Sequence, residues 1–232
     1  MKEAAHHSLR RAEGAPTEAV EDYAKAIYAL QRRNDEPATT SALADRLGVA
    51  PSTVTAMVKR MQGMGLVSHE LYRGVELTPK GEQIALEVLR HHRLLESYLV
   101  EVLGVPWDRV HDEAEVLEHY ISEELEQRIA AALGEPERDP HGDPIPRADL
   151  SLARDDDLPL AELAPGKRAV VARVSDSDPE MLRYLAELRI GPGTELRMLG
   201  AEAFGGGVRV EIDGTEHGIG EQLARRLLVA PT

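Results

Sequence analysis

Residues 39–61 read TTSALADRLGVAPSTVTAMVKRM, and this stretch decides the fold of the N-terminal part of the chain. Its opening Thr39-Thr40-Ser41 is typical of the cap of a short helix, and Gly48-Val49-Ala50 predicts a tight turn. A second helix then starts at Pro51 or Ser52, because proline is favoured in a first helical turn. The stretch therefore predicts a helix, a tight turn and a second helix.

Two short alternating runs follow at residues 66–70 and 75–78, and Leu71-Tyr72-Arg73-Gly74 joins them, which predicts a β-hairpin wing. A winged helix-turn-helix indicates DNA binding, because hydroxyls and amides at a helix N-terminus suit phosphates and base edges, and cations suit phosphates. Similar small domains also serve only as protein contacts. The predicted DNA-binding residues are Pro51, Ser52, Thr53, Thr55, Lys59, Arg60 and Arg73.

Upstream, Thr17 caps an amphipathic helix that we expect to end near residues 32–34. Residues 1–16 show no apolar periodicity and predict a flexible arm. Downstream, Pro79-Lys80-Gly81 opens a long helix that is too apolar to face solvent on all sides, and a second copy of the chain is one candidate to cover it.

A second informative stretch is HDEAEVLEH at residues 111–119, which sets four metal-capable side chains at helical spacing. We expect one helix from Val110 to about Leu133, with all four donors on one side. Other helices add Asp22 and the i, i+4 pair His92 and Glu96. A solvated acidic helix face is the alternative. The donors that the stretch contributes are His111, Glu115, Glu118 and His119.

Composition limits the chemistry and the partners. The chain has 232 residues, enough for two or three small domains, and no cysteine, so a metal would bind imidazole and carboxylate: manganese, iron(II), cobalt or zinc. The net charge is −14, but residues 1–93 hold 13 Lys and Arg against 12 Asp and Glu, and the remainder holds 14 against 29. A near-neutral N-terminal part is compatible with DNA binding, whereas the acidic remainder favours the binding of cations.

The lack of a long apolar run or a signal-peptide core predicts a soluble, cytoplasmic protein with no membrane partner.

The C-terminal part changes character. Residues 135–165 are rich in proline, glycine and aspartate and predict a linker. Beyond it we expect strands at 169–174, 194–199, 208–212 and 227–229 and one helix around 179–188, which together form a small β-barrel.

Taken in this order, these parts resemble the diphtheria-toxin-repressor family of metal-dependent transcriptional regulators over roughly residues 17–232. The motifs that carry the resemblance are Glu21-Asp22-Tyr23 with Ile27-Tyr28, Ser52-Thr53-Val54-Thr55, Leu77-Thr78-Pro79-Lys80-Gly81, His92-Arg93-Leu94-Leu95-Glu96, His111 to His119, and Asp139-Pro140-His141-Gly142-Asp143-Pro144-Ile145-Pro146.

The resemblance implies a primary metal site of Asp22, Glu115, Glu118 and His119 and an ancillary site of His92, Glu96 and His111. It also implies an SH3-like C-terminal domain, in which Asp176 or Asp178 could add a ligand; a solvated loop carboxylate or a helix cap before Pro179 is the alternative for both. Iron-responsive members carry methionine and cysteine where this chain has Asp22 and Glu115, whereas manganese-responsive members carry acids. Lys25 departs from the manganese pattern, in which a further acidic ligand often occupies that position.

The sequence thus predicts a mainly α-helical chain with small β parts: an arm (1–16), a winged helix-turn-helix (17–83), a helical dimerisation and metal-binding domain (84–147), a linker (148–164) and an SH3-like domain (165–232). We expect a homodimer that binds a palindromic double-stranded DNA operator under control of manganese(II), without a small organic ligand. It would repress metal-uptake genes, and activation of efflux genes is the alternative. Iron(II) is the close alternative, and zinc, cobalt or cadmium could substitute in vitro.

Two rival functions follow from the same residues. A metallohydrolase with Glu113 as general base is disfavoured, because the stretch lacks the His-Glu-x-x-His spacing and no nucleophile motif accompanies it. We therefore expect no enzyme activity. A winged-helix regulator that answers an organic ligand, or binds DNA without metal, is the second rival.

Overall fold

The computed structural model describes residues 16–34, 36–70, 73–153, 156–176, 178–202 and 206–232. The predicted arm up to residue 15 and the Leu71-Tyr72 part of the predicted hairpin turn lie outside the described residues. The chain forms two compact units: the described residues up to His91 together with His119–Ile121, and His92–Glu118 together with Ser122–Thr232.

The first unit is the predicted winged helix-turn-helix. Its elements are helices α1 (Glu18–Asn34), α2 (Thr40–Leu47) and α3 (Pro51–Gly63), strands β1 (Val67–Glu70) and β2 (Gly74–Leu77), and the first half of helix α4 (Pro79–Glu101).

Local signals account for the turn between α2 and α3. The Thr39 side chain caps α2 by accepting a hydrogen bond from the Ala42 amide at 3.1 Å. Gly48 ends α2 at φ +63°, a left-handed conformation that glycine adopts without strain. Leu43 and Val54 are fully buried, which fixes the two helices in one core.

The wing is an antiparallel hairpin in which Val67 pairs with Leu77 and Glu70 with Gly74. Ala38 extends it through mutual backbone hydrogen bonds with Val75, both 2.9 Å long. These contacts tie the hairpin to the segment that precedes α2.

The second unit begins with the rest of α4. The helices that follow differ from the single helix that the sequence predicts. Instead of one helix from Val110 to Leu133, the chain forms α5 (Val110–Leu117) and α6 (Glu123–Ala132). Ser122 caps α6 by accepting a hydrogen bond from the Leu125 amide at 3.3 Å, and glutamates fill the first turn. A strong N-terminal signal therefore starts a new helix where a continuous one was expected.

The C-terminal part of this unit is a six-stranded sheet in the order β3-β8-β4-β5-β6-β7, and each described strand pair is antiparallel. Its core includes Val171, Leu182, Val210 and Leu227. The strands are β3 (Leu158–Pro159), β4 (Arg168–Val174), β5 (Glu195–Ala201), β6 (Val208–Ile212), β7 (Thr215–Ile219) and β8 (Leu227–Pro231), with helices α7 (Pro179–Glu187) and α8 (Glu221–Arg226).

The expected strands and helix are present, but β3, β7 and α8 were not predicted. Strand β3 and a 3-10 turn at Leu160–Glu162 lie within residues 148–164, where a linker was expected. Leu160 is fully buried in the sheet core, so apolar burial draws this part of the segment into the domain. Across the described ranges, no helix is long and apolar enough to cross a membrane.

Candidate metal centre

Four side chains of the second unit converge on one point. His92 and Glu96 come from α4, His111 from the first turn of α5, and Asp176 from the loop after β4. One ligand atom of each lies within 4.8 Å of the others. His92 Nε2 is 3.0 Å from Glu96 Oε1 and 3.1 Å from His111 Nδ1. His111 Nδ1 is also 3.3 Å from Glu96 Oε1 and 3.4 Å from Asp176 Oδ2. We call these four residues the ancillary cluster.

The spacing of these atoms fits a divalent cation. Metal–ligand bonds to imidazole and carboxylate are about 2.0 to 2.2 Å long, so ligands at neighbouring corners of a coordination polyhedron lie roughly 3 to 3.5 Å apart. The measured separations of 3.0 to 3.4 Å fall within that range. Two facing imidazole nitrogens and two carboxylates also match the donors expected of a cysteine-free site.

Charge in this cluster favours the ligating form of Glu96. Burial alone would favour the neutral acid, but contacts with His111, His141 and His92 hold the pKa of Glu96 well below its ordinary value. Burial opposes protonation of His111, yet the hydrogen bond to Glu96 and the charge of Asp176 raise its pKa. A cation bound here would replace the protons on the imidazoles.

Glu115 and Glu118 border this cluster. Glu118 is buried, and its Oε2 lies 2.5 Å from His92 Nδ1. Glu115 Oε1 lies 3.7 Å from His111 Nε2 and 3.9 Å from His92 Nδ1. The expectation that four donors project from one side of a helix is wrong, because α5 ends at Leu117 and Glu118 forms its C-cap.

In the first unit, His119 lies between two carboxylates. Its Nδ1 is 2.7 Å from Glu21 Oε2, and its Nε2 is 3.1 Å from Asp22 Oδ1. The Asp22 Oδ1 atom is buried, and its 3.1 Å contact with His119 Nε2 does not have hydrogen-bond geometry. Glu21 thus orients the ring so that Nε2 faces Asp22, an arrangement common in histidine metal ligands.

Asp178 is placed elsewhere. It caps α7, because its Oδ1 accepts hydrogen bonds from the Glu180 and Met181 amides at 3.1 Å. Its Oδ2 lies 3.6 Å from Arg226.

The predicted DNA-binding side chains are all exposed. Thr55 donates its hydroxyl hydrogen to the Pro51 carbonyl at 3.0 Å, and Arg73 forms an exposed ion pair with Glu70 at 3.1 Å. The N-cap residue of α3 is Ala50, which makes no side-chain capping hydrogen bond, and the Thr53 and Val54 amides donate to its carbonyl at 2.9 and 3.2 Å.

Sequence reasoning missed Glu21 and the group around Glu96 that includes the buried His141 and Asp139 and the partly buried Trp107. Glu21 adjoins Asp22, and His141 stands in the proline-glycine motif, so both were quoted as motif members without a role. No spacing rule in the sequence marks these side chains, whereas the structure shows that Glu21, Asp139 and His141 are buried.

A winged helix-turn-helix joined to histidine-carboxylate clusters defines a metal-responsive DNA-binding protein. The comparisons agree along the chain: residues 16–75 match the iron-dependent repressor N-terminal DNA-binding domain, residues 78–147 match the iron-dependent repressor metal-binding and dimerisation domain, and residues 158–231 match the FeoA domain.

Whole-length relatives give the same result. The iron-dependent repressor IdeR of Mycobacterium tuberculosis is 33% identical over 210 residues, which cover 85% of this chain and 90% of the relative. A solved manganese-dependent transcriptional repressor in complex with manganese is 42% identical, with a TM-score of 0.87, and the match covers 92% of this chain and 100% of that one. ScaR with bound Zn²⁺ is 31% identical, with a TM-score of 0.79 and coverage of 94% and 100%. The chain belongs to the diphtheria-toxin-repressor family of metal-dependent, DNA-binding transcriptional repressors.

Proposed function

We propose that the chain is a manganese(II)-dependent repressor of metal-uptake genes. The observation that carries this choice of metal is the donor set, in which carboxylates and imidazoles supply every ligand and the sequence has no cysteine. Hard carboxylate oxygens favour manganese(II) relative to the softer later transition metals. The similarity to a manganese-dependent repressor supports the same choice.

Iron(II) is the second candidate, and two observations favour it. The His92 and His111 imidazoles in the ancillary cluster suit iron(II), and the IdeR relative is an iron-dependent repressor. The two ions differ little in ligand preference, so their relative supply in the cell also contributes to selection.

We assign the ligands as two sets. Asp22, Glu115, Glu118 and His119 form the primary set, and the four residues of the ancillary cluster form the other. Lys25 cannot ligate, so a second ion uses the ancillary cluster and not a position next to Asp22.

The mechanism follows from where the donors stand in the chain. A bound cation supplies positive charge that offsets the repulsion among ligand carboxylates. Asp22 and Glu21 lie on α1, and α1 shares a core with the helices of the DNA-binding unit. Ligation by Asp22 therefore restrains the unit that carries α3, and this differential stabilisation favours the DNA-competent state.

Exposed apolar side chains support a homodimer. On α5, Val110 and Ala114 are buried, while Val116 is 63% exposed on another face, and Leu125 on α6 is 45% exposed. A second copy related by twofold symmetry would cover such positions and place two recognition helices on DNA. The operator should accordingly contain an inverted repeat, with half-sites about 34 Å apart or a multiple of that.

An anaerobic pull-down of sheared genomic DNA tests the proposal. Purified protein is incubated with manganese(II), iron(II) or chelator at one salt concentration, and retained fragments are sequenced. We expect specific fragments that carry inverted repeats and lie near metal-uptake genes in the manganese lane, and their loss with chelator. Equal retention in all lanes contradicts metal control, and retention only with iron assigns the second candidate.

A further inference from the structure

Helix α3 exposes a small side chain that the predicted DNA contacts do not include. Val54, Val58 and Met61 are buried and hold the helix in the core of the first unit. With about 3.6 residues per turn, Ser52 and Ala56 point away from this buried stripe, and both are exposed. Ala56 therefore lies at the centre of the outward face of α3.

The threonines of α3 lie at the sides of this outward face. Thr53 and Thr55 are exposed on opposite flanks of the helix. Thr55 donates its hydroxyl hydrogen to the Pro51 carbonyl at 3.0 Å, so that hydrogen is committed to the helix backbone. When a helix lies in the major groove, its centre faces the base edges and its flanks face the phosphates. Base contacts from the first two turns of α3 therefore depend on Ser52 and Ala56.

The same two turns carry no long polar side chain. Their sequence, Pro51–Val58, contains no arginine, lysine, asparagine, glutamine, aspartate or glutamate. Those are the side chains that form bidentate hydrogen bonds with guanine or adenine, or accept a hydrogen bond from cytosine. Lys59 and Arg60 follow only in the third turn. The N-terminal part of a recognition helix, which contacts base edges, thus offers a hydroxyl group at Ser52 and a methyl group at Ala56.

A methyl group at the centre of this face matches one feature of the major groove. Thymine presents its 5-methyl group there, and an apolar contact with alanine suits that group. Cytosine presents an amino group instead, and an alanine methyl packed against it would leave that donor without a partner. The small size of Ser52 and Ala56 also lets the backbone of α3 approach the bases closely.

We propose that Ala56 is a specificity-determining residue that reads the 5-methyl group of a thymine in each half-site of the operator. This inference rests on the proposed function, in which the chain binds an inverted repeat as a homodimer. It deepens that function because it names the base feature that α3 recognises. Each half-site accordingly contains a thymine whose methyl group packs against Ala56.

The competing interpretation is that α3 contacts only phosphates, through Lys59 and Arg60. Both interpretations predict binding that weakens with salt, so affinity alone does not separate them. They differ in whether a single methyl group on the DNA changes the affinity. Uracil pairs as thymine does and lacks only the 5-methyl group, so replacement of thymine by uracil isolates that contribution.

The test uses the whole chain with manganese(II) and a synthetic duplex of the inverted repeat recovered in the pull-down. Each thymine of one half-site is replaced in turn by uracil, and fluorescence anisotropy gives the dissociation constants at one salt concentration. The series is repeated with Ala56→Gly, which removes the methyl group. Gln62→Gly is the matched control, because it places a glycine at an exposed position of α3 away from the centre of the outward face.

We expect one or more uracil duplexes to bind the parent protein about three- to fivefold more weakly than the thymine duplex, the scale of one buried methyl group. In Ala56→Gly the ratio of the two dissociation constants should fall to about one, while Gln62→Gly keeps the parent ratio. Each ratio compares two duplexes on the same protein, so a general weakening of the helix by glycine cancels.

A second variant covers the case in which Ala56→Gly does not fold, as thermal unfolding would reveal. Ala56→Ser places a hydroxyl group on the same carbon at a smaller helix cost than glycine, and the uracil-to-thymine ratio should again fall below that of the parent.

Two results overturn the role of Ala56 and leave the proposed function standing. One is a duplex that binds with manganese but shows no weakening with uracil at any position. The other is a uracil-to-thymine ratio that is the same in the Ala56 variants as in the parent. A protein that binds no duplex with manganese(II) or iron(II) overturns the proposed function, and this inference with it.

Discussion

Asp22 and Glu115 are the two residues on which the proposed metal response depends most. Replacing either with alanine removes a carboxylate from the primary set, so we expect loss of metal-stimulated DNA binding in both variants. Retention of a selected fragment with manganese and with chelator measures the response. The control is Asp112→Ala, which removes an exposed carboxylate from the same helix as Glu115. We expect metal-stimulated DNA binding to be unchanged in this variant. Undiminished metal-stimulated DNA binding in both Asp22→Ala and Glu115→Ala would contradict the ligand assignment.

Asp176 and Asp178 form a matched pair for the ancillary cluster. Asp176→Asn removes a charged donor 3.4 Å from His111, so we expect the affinity of the ancillary cluster for manganese to fall at least about tenfold. Asp178→Asn keeps a good helix cap on α7 and should change affinity little. Isothermal titration calorimetry gives both values. A larger loss in Asp178→Asn contradicts the placement of the ligands.

At this scale the sequence predicted which side chains lie close together better than it predicted the helices that carry them. His92, Glu96 and His111 were named from helical spacing and family motifs, and the structure brings them together with Asp176. Glu118 and His119 were expected to project from one helix side, but the helix ends before them. Spacing arguments hold only while the backbone remains helical.

Among the structural elements, the loop at residues 139–146 needs a glycine for its backbone conformation at one position. Gly142 has φ +89°, and a Cβ there would lie 2.0 Å from the Ala172 carbonyl oxygen, at the point where β4 shifts register against β8. Gly166 has φ +81° with open space around it. Gly166→Ala should therefore cost only the backbone strain, about 1 kcal/mol, and Gly142→Ala several times more.

Urea unfolding in chelator compares these two variants with the parent protein, so that metal binding does not contribute. The midpoint for Gly142→Ala should be clearly the lower of the two. Equal urea midpoints for the two variants would mean that the loop can rearrange to accept a Cβ at Gly142. The close contact between Gly142 and β4 would then not be needed for stability.

Helix α3 carries six of the seven predicted DNA-binding residues and permits a second test at the element scale. Arg60 is exposed, and we expect Arg60→Ala to weaken binding almost uniformly across DNA sequences and to lower the salt slope by about one charge. Gln62→Ala, an exposed neutral position near the end of α3, is the control. Fluorescence anisotropy over a salt series measures both slopes. An unchanged slope in Arg60→Ala removes this residue from the phosphate contacts.

Elements with strong local signals were the predictable ones. Thr39, Gly48 and Pro51 mark helix boundaries that the structure reproduces. The break between α5 and α6 was missed, because Ser122 with its following glutamates was read as helix interior and not as a cap. Short β3 and β7 carry little periodicity, and only pairing with their neighbours in the sheet defines them.

On the scale of the whole molecule, charge is divided along the chain. Net charge is −14, yet residues 1–93 are close to neutral. The acidic remainder repels DNA, so only the N-terminal unit is suited to the duplex, while the carboxylate-rich remainder attracts cations. This division matches a protein in which cation binding in one part controls DNA binding by another.

The affinity of a selected operator fragment at buffered free manganese(II) tests this central claim most directly. Anisotropy is followed at one salt concentration as free manganese is raised from chelator, with an iron(II) series in parallel. We expect the dissociation constant to fall by at least about fivefold, the lower end of ordinary allosteric coupling, and at lower free manganese than free iron. A dissociation constant that is the same with chelator and with saturating manganese would contradict the account.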